Sequence, residues 1–431
     1  MKSTRALSSY WRDIVHQASG NSAAQAIGLL GIPVLSRIYS PQDFAIQNIF
    51  LQVAMFLAGI ITWRYEYFFQ LLNDVRESKL LLRWIIKLGI ICGGGLTLIL
   101  YLYGPNLAAS FGAVALGPYL VYCPLTAFFI SLGLALQHNV QRNGHFKISA
   151  ASEVCGKLSY VLAGIFLSPA GVVGLIATIF FSAFGKIVFL WRSLSDLLWG
   201  SLAQDKIKTH PRSVHLKGAN AMVLSHVFLT IGTALPILFI SYRFGVETLG
   251  QFTMVMSTIF LPSGLIGLAI GQVFYQRAAQ YFRDSKDIKL LWLSTVFRLV
   301  VFGLPIYAVA VVCSSFIYPL VLGEQWGVAG QYAQIFSIAA FFAFVSTPLD
   351  RTSLILRVNN YLPIMHFFRM LSAMMVIGVA KFFNLEFFTY LILLTFQMSF
   401  LYLIDMIFGW IFLSRYARRE QASGQDTNTI L

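Results

Sequence analysis

Residues 44–72 read FAIQNIFLQVAMFLAGIITWRYEYFFQLL. The part from Ile49 to Ile61 is almost entirely apolar, and the charged residues Arg64 and Glu66 follow it with no Pro and no cluster of Gly and Asn in between. The pattern therefore predicts one continuous helix that crosses a membrane and carries both charges near one end. Ionisable side chains at membrane depth are costly and generally mark a pathway or a binding site.

The composition of the whole chain is typical of an integral membrane protein. Of its 431 residues, 58% are hydrophobic and 11% are charged, whereas about 25% of the residues of a soluble protein are charged. The apolar runs are long and do not alternate with polar residues, which indicates helices rather than strands. We predict an all-α polytopic membrane protein with about twelve transmembrane helices.

The basic residues indicate how the helices are oriented. The formal net charge is +14, but the basic residues are spread over many short loops instead of one soluble face, so we expect no nucleic-acid partner. Lys and Arg are concentrated in alternate loops, as is typical of cytoplasmic loops next to anionic lipids. Both termini are therefore predicted to be cytoplasmic. The four cysteines have unrelated spacings and lie in apolar segments, so no metal site is predicted.

Two pairs of similar segments favour an internal duplication. The sequences DVRESKLL at 74–81 and DSKDIKLL at 284–291 share a pattern of charges, and IPVL at 32–35 and LPIL at 235–238 precede them in the same order. Short charged loops next to membrane helices are a simpler explanation for the first pair alone. Because two landmarks recur, we predict a parallel repeat of six helices per half. Pro33 and Pro236 are the matching hinge candidates.

The predicted domain organisation follows from this repeat. It comprises an N-terminal six-helix bundle (1–192), a cytoplasmic linker loop (193–218), a C-terminal six-helix bundle (219–413) and a disordered cytoplasmic tail (414–431).

Charged side chains within the predicted spans lie mostly in their cytoplasmic halves. Arg64, Arg298 and Arg369 are also explained by snorkelling to the end of a span, and Glu153 is one turn from Lys157 and would pair with it. Lys186 has no carboxylate one turn away. Taken together, the cations predict a partly hydrated cavity that attracts an anion. The candidate substrate-binding residues are Arg64, Lys157, Lys186, Arg298, Arg351 and Arg369.

Three carboxylates are candidates for ion coupling: Glu66, Asp350 and Asp405. A carboxyl group buried in a membrane is suited to a proton relay. For Asp405, the alternative is a hydrogen bond to a neighbouring span.

Several motifs carry a resemblance to a known family. Residues 33–44, PVLSRIYSPQDF, followed by WRYE at 63–66, resemble the opening of the polysaccharide-biosynthesis, or Wzx-type lipid-linked oligosaccharide (O-antigen) flippase, family. GQVFYQRA at 271–278 and GEQW at 323–326 are similar to further patterns of that family. Ala45 departs from it, since a Gly is expected after Phe44.

The resemblance implies a member of the multidrug/oligosaccharidyl-lipid/polysaccharide exporter superfamily, with two six-helix bundles around a V-shaped central cavity. It implies a flippase, and not an enzyme, that moves polyprenyl-diphosphate-linked oligosaccharide across the bacterial inner membrane by alternating access. It implies no cofactor other than an H⁺ or Na⁺ gradient. The expected partners are this lipid-linked oligosaccharide, membrane lipids, a polysaccharide polymerase and a chain-length regulator.

Other transporters and enzymes remain as alternatives. A multidrug or cation antiporter of the same superfamily would favour an acidic cavity. A major-facilitator transporter would carry a Gly-x-x-x-Asp-Arg-x-Gly-Arg pattern after its second span, and residues 73–79 do not contain it. A membrane polysaccharide polymerase would favour a sizeable loop outside the membrane.

Overall fold

The computed structural model describes residues 22–72, 74–199, 211–283, 287–350, 352–356, 358 and 361–428, and these residues contain helices and no strands. In this part of the chain, ten helices are long and apolar enough to cross a membrane, and Ser22–Ile38 forms a shorter apolar helix. A further helix, Phe146–Phe166, carries Lys147, Glu153 and Lys157. The predicted all-α polytopic fold is confirmed.

Packing divides the chain into two compact units, one ending at Thr253 and the other beginning at Met254. Residue Val246 begins a helix that continues across this boundary. The helices of the first unit, unit 1, are α1 (Ser22–Ile38), α2 (Pro41–Ile61), α3 (Val75–Ser110), α4 (Cys123–Arg142), α5 (Phe146–Phe166), α6 (Val172–Phe189), α7 (Trp191–Trp199), α8 (Pro211–Val214), α9 (Leu216–Phe244) and the start of α10 (Val246–Ile259).

The second unit, unit 2, contains the end of α10 and the remaining helices. They are α11 (Leu268–Arg283), α12 (Lys289–Leu322), α13 (Gly327–Ser346), α14 (Thr352–Ile355), α15 (Tyr361–Phe382) and α16 (Phe387–Asn428). Helix α16 occupies most of the segment 414–431, for which the sequence predicts disorder, because Arg, Glu, Gln and Ala in this segment are good helix formers. The division into two six-helix bundles, 1–192 and 219–413, stays a prediction.

Helix α2 begins at a well-defined cap. The Ser40 hydroxyl accepts a hydrogen bond from the Asp43 amide, and the Asp43 carboxylate accepts one from the Ser40 amide at 2.9 Å. This reciprocal arrangement satisfies amide groups that have no partner within the helix, and Pro41 in the first turn supplies a fixed φ.

The prediction of one continuous helix over residues 44–72 is wrong, because α2 ends at Ile61. Trp63 and Arg64 adopt left-handed backbone angles, with φ of 53° and 56°, and a 3₁₀-helix follows at Tyr65–Leu71. A left-handed conformation costs an ordinary residue about 1–2 kcal/mol, so contacts elsewhere must stabilise it. One such contact is the hydrogen bond that the Trp63 indole Nε1 donates to Asn220 Oδ1 at 2.7 Å.

The 3₁₀-helix after this break is held in a hydrophobic core of unit 1. Its apolar side chains, which include Phe68 and Phe69, pack with Leu82 of α3, Leu136 of α4 and Ala219 of α9. The core therefore fixes the chain on the C-terminal side of the break, while helix α2 fixes it on the N-terminal side. The hinge candidates Pro33 and Pro236 lie inside α1 and α9, and their role as hinges stays a prediction.

We predict that Gly250→Ala destabilises unit 1. An ideal Cβ at Gly250 would lie 1.8 Å from the carbonyl oxygen of Pro41, whereas a Cβ at Gly94 of α3 would meet no described atom within 4 Å. The forced displacement should cost about 1–3 kcal/mol and lower the thermal unfolding midpoint of the purified protein in detergent. Gly94→Ala is the matched control and should leave the midpoint unchanged or slightly higher. Equal midpoints for the two variants would contradict the packing described here.

Candidate functional site

A cleft of about 270 Å³ lies among helices α2, α4, α5 and α6 of unit 1. Its polar lining comes from α5 and α6 and consists of Glu153, Lys157, Tyr160, Ser182 and Lys186. The remaining lining is mostly apolar, including side chains of α2 and α4. The cleft therefore combines hydrophobic walls with a few ionisable groups, which is the usual character of a ligand site.

The two lysines of the cleft have different surroundings. Lys186 Nζ lies 2.7 Å from Glu153 Oε1 and 3.5 Å from Gln137 Oε1. Lys157 Nζ lies 6.0 Å from the centre of the Tyr160 ring, and Lys157 forms no ion pair with a described carboxylate. With both lysines and Glu153 ionised, the cleft carries a net positive charge.

Glu153 forms its ion pair with Lys186 across the helix interface and not with Lys157 one turn away, on which it acts only as a nearby charge. Close packing of α5 on α6 allows this contact. An ideal Cβ at Gly156 would lie 3.1 Å from the carbonyl oxygen of Ser182, and one at Gly185 would lie 2.1 Å from the Ser159 hydroxyl. The glycines bring the two helices together, and Lys186 thereby gains the carboxylate that its own helix lacks.

A second polar cluster surrounds Glu66, just after the break in α2. Glu66 is fully buried. Its carboxylate accepts a hydrogen bond from the Thr62 hydroxyl at 2.7 Å and lies 3.3 Å from Arg64 Nη1. Burial raises the pKa of the Glu66 carboxyl, while the Thr62 hydrogen bond and the Arg64 charge act in the opposite direction. The guanidinium of Arg64 also lies 4.8 Å from the centre of the Tyr67 ring.

Helix α4 connects the two clusters through consecutive residues. Gln137 faces Lys186, and His138 Nδ1 lies 2.8 Å from the carbonyl oxygen of Glu66. Neither residue was among the candidates from the sequence, because an isolated Gln or His in an apolar helix gives no signal of its partners. The signal that could have identified them is that two polar side chains, Gln137 and His138, are adjacent in a membrane helix.

His226 of α9 is a buried polar residue with a hydrogen-bond partner. Its Nε2 lies 3.1 Å from the carbonyl oxygen of Met55. The described residues contain no group of three or more His, Cys, Asp or Glu side chains that could hold a metal ion.

The candidates of unit 2 are only partly brought together. Asp405 accepts hydrogen bonds from the Ser346 and Tyr361 hydroxyls, which agrees with the alternative of bonds to neighbouring helices. Asp350 lines the same small cavity as Asp405, and the Arg369 guanidinium lies 5.4 Å from the centre of the Tyr402 ring.

Two further candidates of unit 2 stand apart. Arg298 is exposed on α12 and is not among the described hydrogen-bond partners of Asp405. Arg351 lies outside the described residues. The binding and coupling roles of all these residues stay predictions.

Comparison with known proteins places the chain in a family. The family described as "Polysaccharide biosynthesis protein" matches residues 34–331, which is more than half of the chain. A search of curated proteins found no match.

Solved structures with a similar fold include transporters and a flippase. The lipid II flippase MurJ in an inward closed conformation has a TM-score of 0.69 and 12% identity, over 94% of this chain and 90% of that chain. An inward-facing multidrug resistance MATE family transporter of the MOP superfamily has a TM-score of 0.62 and 13% identity, over 93% and 95%. An outward-facing conformation of a multidrug resistance MATE family transporter has a TM-score of 0.62 and 14% identity, over 94% and 96%. At these identities the likeness shows the fold alone.

We predict that Glu66→Ala destabilises the protein more than Glu66→Gln. A Gln side chain keeps an oxygen that accepts from Thr62 and Arg64, whereas Ala leaves these donors without that acceptor, which costs about 1–3 kcal/mol. The thermal unfolding midpoint in detergent should therefore be higher for Glu66→Gln than for Glu66→Ala. Because the raised pKa means that the folded protein favours the protonated, neutral carboxyl, the native protein resembles Glu66→Gln more closely at low pH. The difference between their unfolding midpoints should therefore narrow as the pH falls through that pKa. Equal stability of the two variants would contradict the geometry around Glu66.

Proposed function

Since the chain belongs to the polysaccharide biosynthesis protein family, we propose that it is a flippase for polyprenyl-diphosphate-linked oligosaccharide. The proposed reaction is the movement of this lipid across the bacterial inner membrane by alternating access, with no covalent chemistry. The saccharide repeat unit would be destined for a surface polysaccharide such as O-antigen, capsule or exopolysaccharide.

The observation that carries this proposal is the cationic cleft of unit 1. It lies among α2, α4 and α6, which are long and apolar enough to cross a membrane, and α5, and its lysines come from two different helices, α5 and α6. Lys186 is held in place by Glu153 and Gln137, so its ammonium group is positioned before any ligand binds. Lys157 forms no ion pair with a described carboxylate and feels Glu153 only as a nearby charge, and we propose that its ammonium group is available to an anion.

A diphosphate is the chemical group that most needs such a cleft. Moving phosphate charges through bare hydrocarbon is prohibitive, because an ion loses its hydration without gaining a partner. Ammonium groups within a hydrated cleft replace part of that hydration and compensate the charge. The polyprenyl chain is itself apolar and has no need to leave the lipid, so a cleft for the headgroup alone is sufficient.

The cluster around Glu66 supports a proposed role in ion coupling. Glu66 is linked through Thr62 to the end of α2, and its backbone carbonyl contacts His138 of α4. Residue Gln137, next to His138, contacts the cleft lysine Lys186. The Glu66 cluster is therefore adjacent to the proposed headgroup site, through the backbone of Glu66 and two consecutive residues of α4. We propose that a H⁺ or Na⁺ gradient drives the return step, with no other cofactor.

The alternative antiporter of drugs or cations is less well supported by this cleft. A cationic substrate would be repelled by two lysines that are only partly neutralised by Glu153. The polymerase alternative would require a reaction centre for sugar transfer, and the polar residues of the cleft supply a positive field instead of a pair of catalytic carboxylates. The proposed partners are the lipid-linked oligosaccharide, membrane lipids, a polymerase and a chain-length regulator. Both termini are proposed to be cytoplasmic.

We predict that Lys186→Ala makes lipid-linked oligosaccharide accumulate on the cytoplasmic face of the membrane. Loss of a charge-assisted contact worth about 1.5–3 kcal/mol should reduce surface polysaccharide by about tenfold or more, and Lys186→Arg should retain most of it. The measurement compares surface polysaccharide and the sidedness of the lipid-linked precursor in cells with equal amounts of each variant in the membrane.

Lys381→Ala is the matched control. Lys381 is exposed in the last turn of α15 and does not line the cleft, and its replacement should have no effect. Normal surface polysaccharide with Lys186→Ala at normal membrane levels would refute the role of the cleft, and unpolymerised repeat units on the outer face would favour the polymerase alternative.

A further inference from the structure

A second cleft of unit 1, of about 310 Å³, lies where several of its helices end, and we call it the end cleft. It is formed by the last residues of α4 and α6, the first residues of α3 and α5, and helix α7. Helices α3, α4 and α6 are long and apolar enough to cross a membrane, so their ends lie at the boundary between hydrocarbon and water. These ends belong to the side that we propose to be cytoplasmic.

Helix α7 is held in place at the end cleft and contributes two charged side chains to it. Leu194 is buried in the hydrophobic core of unit 1, and Arg83 of α3 donates a hydrogen bond to the carbonyl oxygen of Leu198 at 3.3 Å. Arg192 and Asp196 are exposed on the same helix and line the cleft. The core therefore fixes α7, and its two charges have defined places at the cleft.

Arg192 and Asp196 carry opposite charges four residues apart but do not pair. Within the described part of the chain, neither side chain forms an ion pair. Their order explains this, because an acidic residue before a basic one is the favoured arrangement at this spacing in a helix, and here the basic residue comes first. The Cβ atoms of residues at this spacing are about 5–6 Å apart. The end cleft thus offers one cation and one anion side by side.

Neighbouring basic side chains add no second cation to the described lining. Arg142, the last residue of α4, donates hydrogen bonds to the carbonyl oxygen of Leu72 at 2.8 Å and to the Ser78 hydroxyl at 2.7 Å. Lys147 of α5 is exposed and does not line the end cleft. With His145 of the lining neutral, the charges of the described lining residues balance.

The rest of the lining combines polar and apolar groups. Asn143 and His145 are exposed in the turn between α4 and α5 and supply hydrogen-bonding groups. Val75, Ile148 and Phe189 are exposed apolar side chains of the same cleft. Apolar surface at the boundary of a membrane is stable against acyl chains, whereas it is costly in water. A molecule that fits this cleft therefore has a charged part and an apolar part.

The pair of charges determines which lipid headgroup fits. A phosphate accepts hydrogen bonds from a guanidinium, often two at once. A primary ammonium group has three N–H donors, and an ionised carboxylate only accepts. Phosphatidylethanolamine carries a phosphate and a primary ammonium separated by two carbon atoms. The headgroup of an anionic lipid such as phosphatidylglycerol would be repelled by Asp196, and the quaternary ammonium of phosphatidylcholine has no N–H to donate.

We propose that the end cleft binds the headgroup of a phosphatidylethanolamine-type lipid, with the phosphate at Arg192 and the ammonium at Asp196. The acyl chains pass the apolar side chains of the cleft and enter the bilayer. This ligand is a lipid of the surrounding membrane and is not the transported one. The proposal is therefore independent of the flippase function and requires only that the helices of unit 1 cross a membrane.

The test measures lipid binding to the full chain in detergent by native mass spectrometry. Four lipids with the same acyl chains are compared: phosphatidylethanolamine, its N-methyl and N,N-dimethyl derivatives, and phosphatidylcholine. The series removes the N–H donors one at a time and leaves the phosphate unchanged. The dissociation constant of the tightest-bound lipid should rise along the series, by about tenfold or more from the first lipid to the last, because the hydrogen bonds that are lost involve charged groups.

Two variants separate the roles of the charges. Asp196→Asn removes the negative charge and should abolish the preference for phosphatidylethanolamine over phosphatidylcholine. Arg192→Gln should weaken the binding of both lipids by a similar factor, because both carry the phosphate. Glu247→Gln is the matched control, since Glu247 is exposed in the first turn of α10 and does not line the end cleft, and it should leave all four dissociation constants unchanged.

Four results would overturn the proposal. They are equal affinities for phosphatidylethanolamine and phosphatidylcholine, an unchanged preference in Asp196→Asn, tighter binding of phosphatidylglycerol, which would identify a general site for anionic lipids, and displacement of the lipid by equimolar glycerophosphoethanolamine, which would identify a soluble ligand. The expected lipid binding together with absent translocation of lipid-linked oligosaccharide would support this site and refute the flippase function instead.

Discussion

Charges among membrane helices must be compensated, and the arrangement of the polar residues depends on this constraint. A buried charge without a partner is strongly destabilising. In unit 1 the buried Glu66 is compensated by Thr62 and Arg64, and Lys186 is compensated by Glu153. Lys157 differs, because it lies near an aromatic ring, forms no ion pair with a described carboxylate and feels Glu153 only as a nearby charge. The proposed preference of the cleft for an anion, and with it the proposed transport function, depends on the charge of Lys157.

The break in α2 shows how the fold supports this arrangement. Two successive left-handed residues, Trp63 and Arg64, are unfavourable for the backbone. They turn the chain so that Glu66 is buried next to α4 and so that Trp63 contacts Asn220 of α9. Strained backbone persists only where the surrounding contacts determine it, and such positions often lie at functional sites. The break therefore positions Glu66, the residue that we propose for ion coupling.

Much of the fold could be predicted from the sequence, because the length of apolar runs depends only on local composition and on the thickness of a membrane. The cationic character of the cleft was also visible, since Lys157 and Lys186 are ionisable residues in such runs. The pairing of Glu153 with Lys186 was not, because it depends on how closely α5 and α6 approach. The break after Ile61 was not predictable for a similar reason. Residues 62–64 contain no Gly or Pro, and tertiary contacts override the helical pattern there.

Hydration of the unit 1 cleft and its attraction for anions can be measured by the labelling of single cysteines, in a variant without the native cysteines, by an anionic, membrane-impermeant thiol reagent. Ser182 lines the cleft and its neighbour Phe181 does not. We expect Ser182→Cys to react faster with the anionic reagent than with a cationic one, inorganic pyrophosphate to slow this reaction, and Phe181→Cys to be nearly unreactive. Faster labelling of Ser182→Cys by the cationic reagent, or no labelling at all, would contradict this expectation.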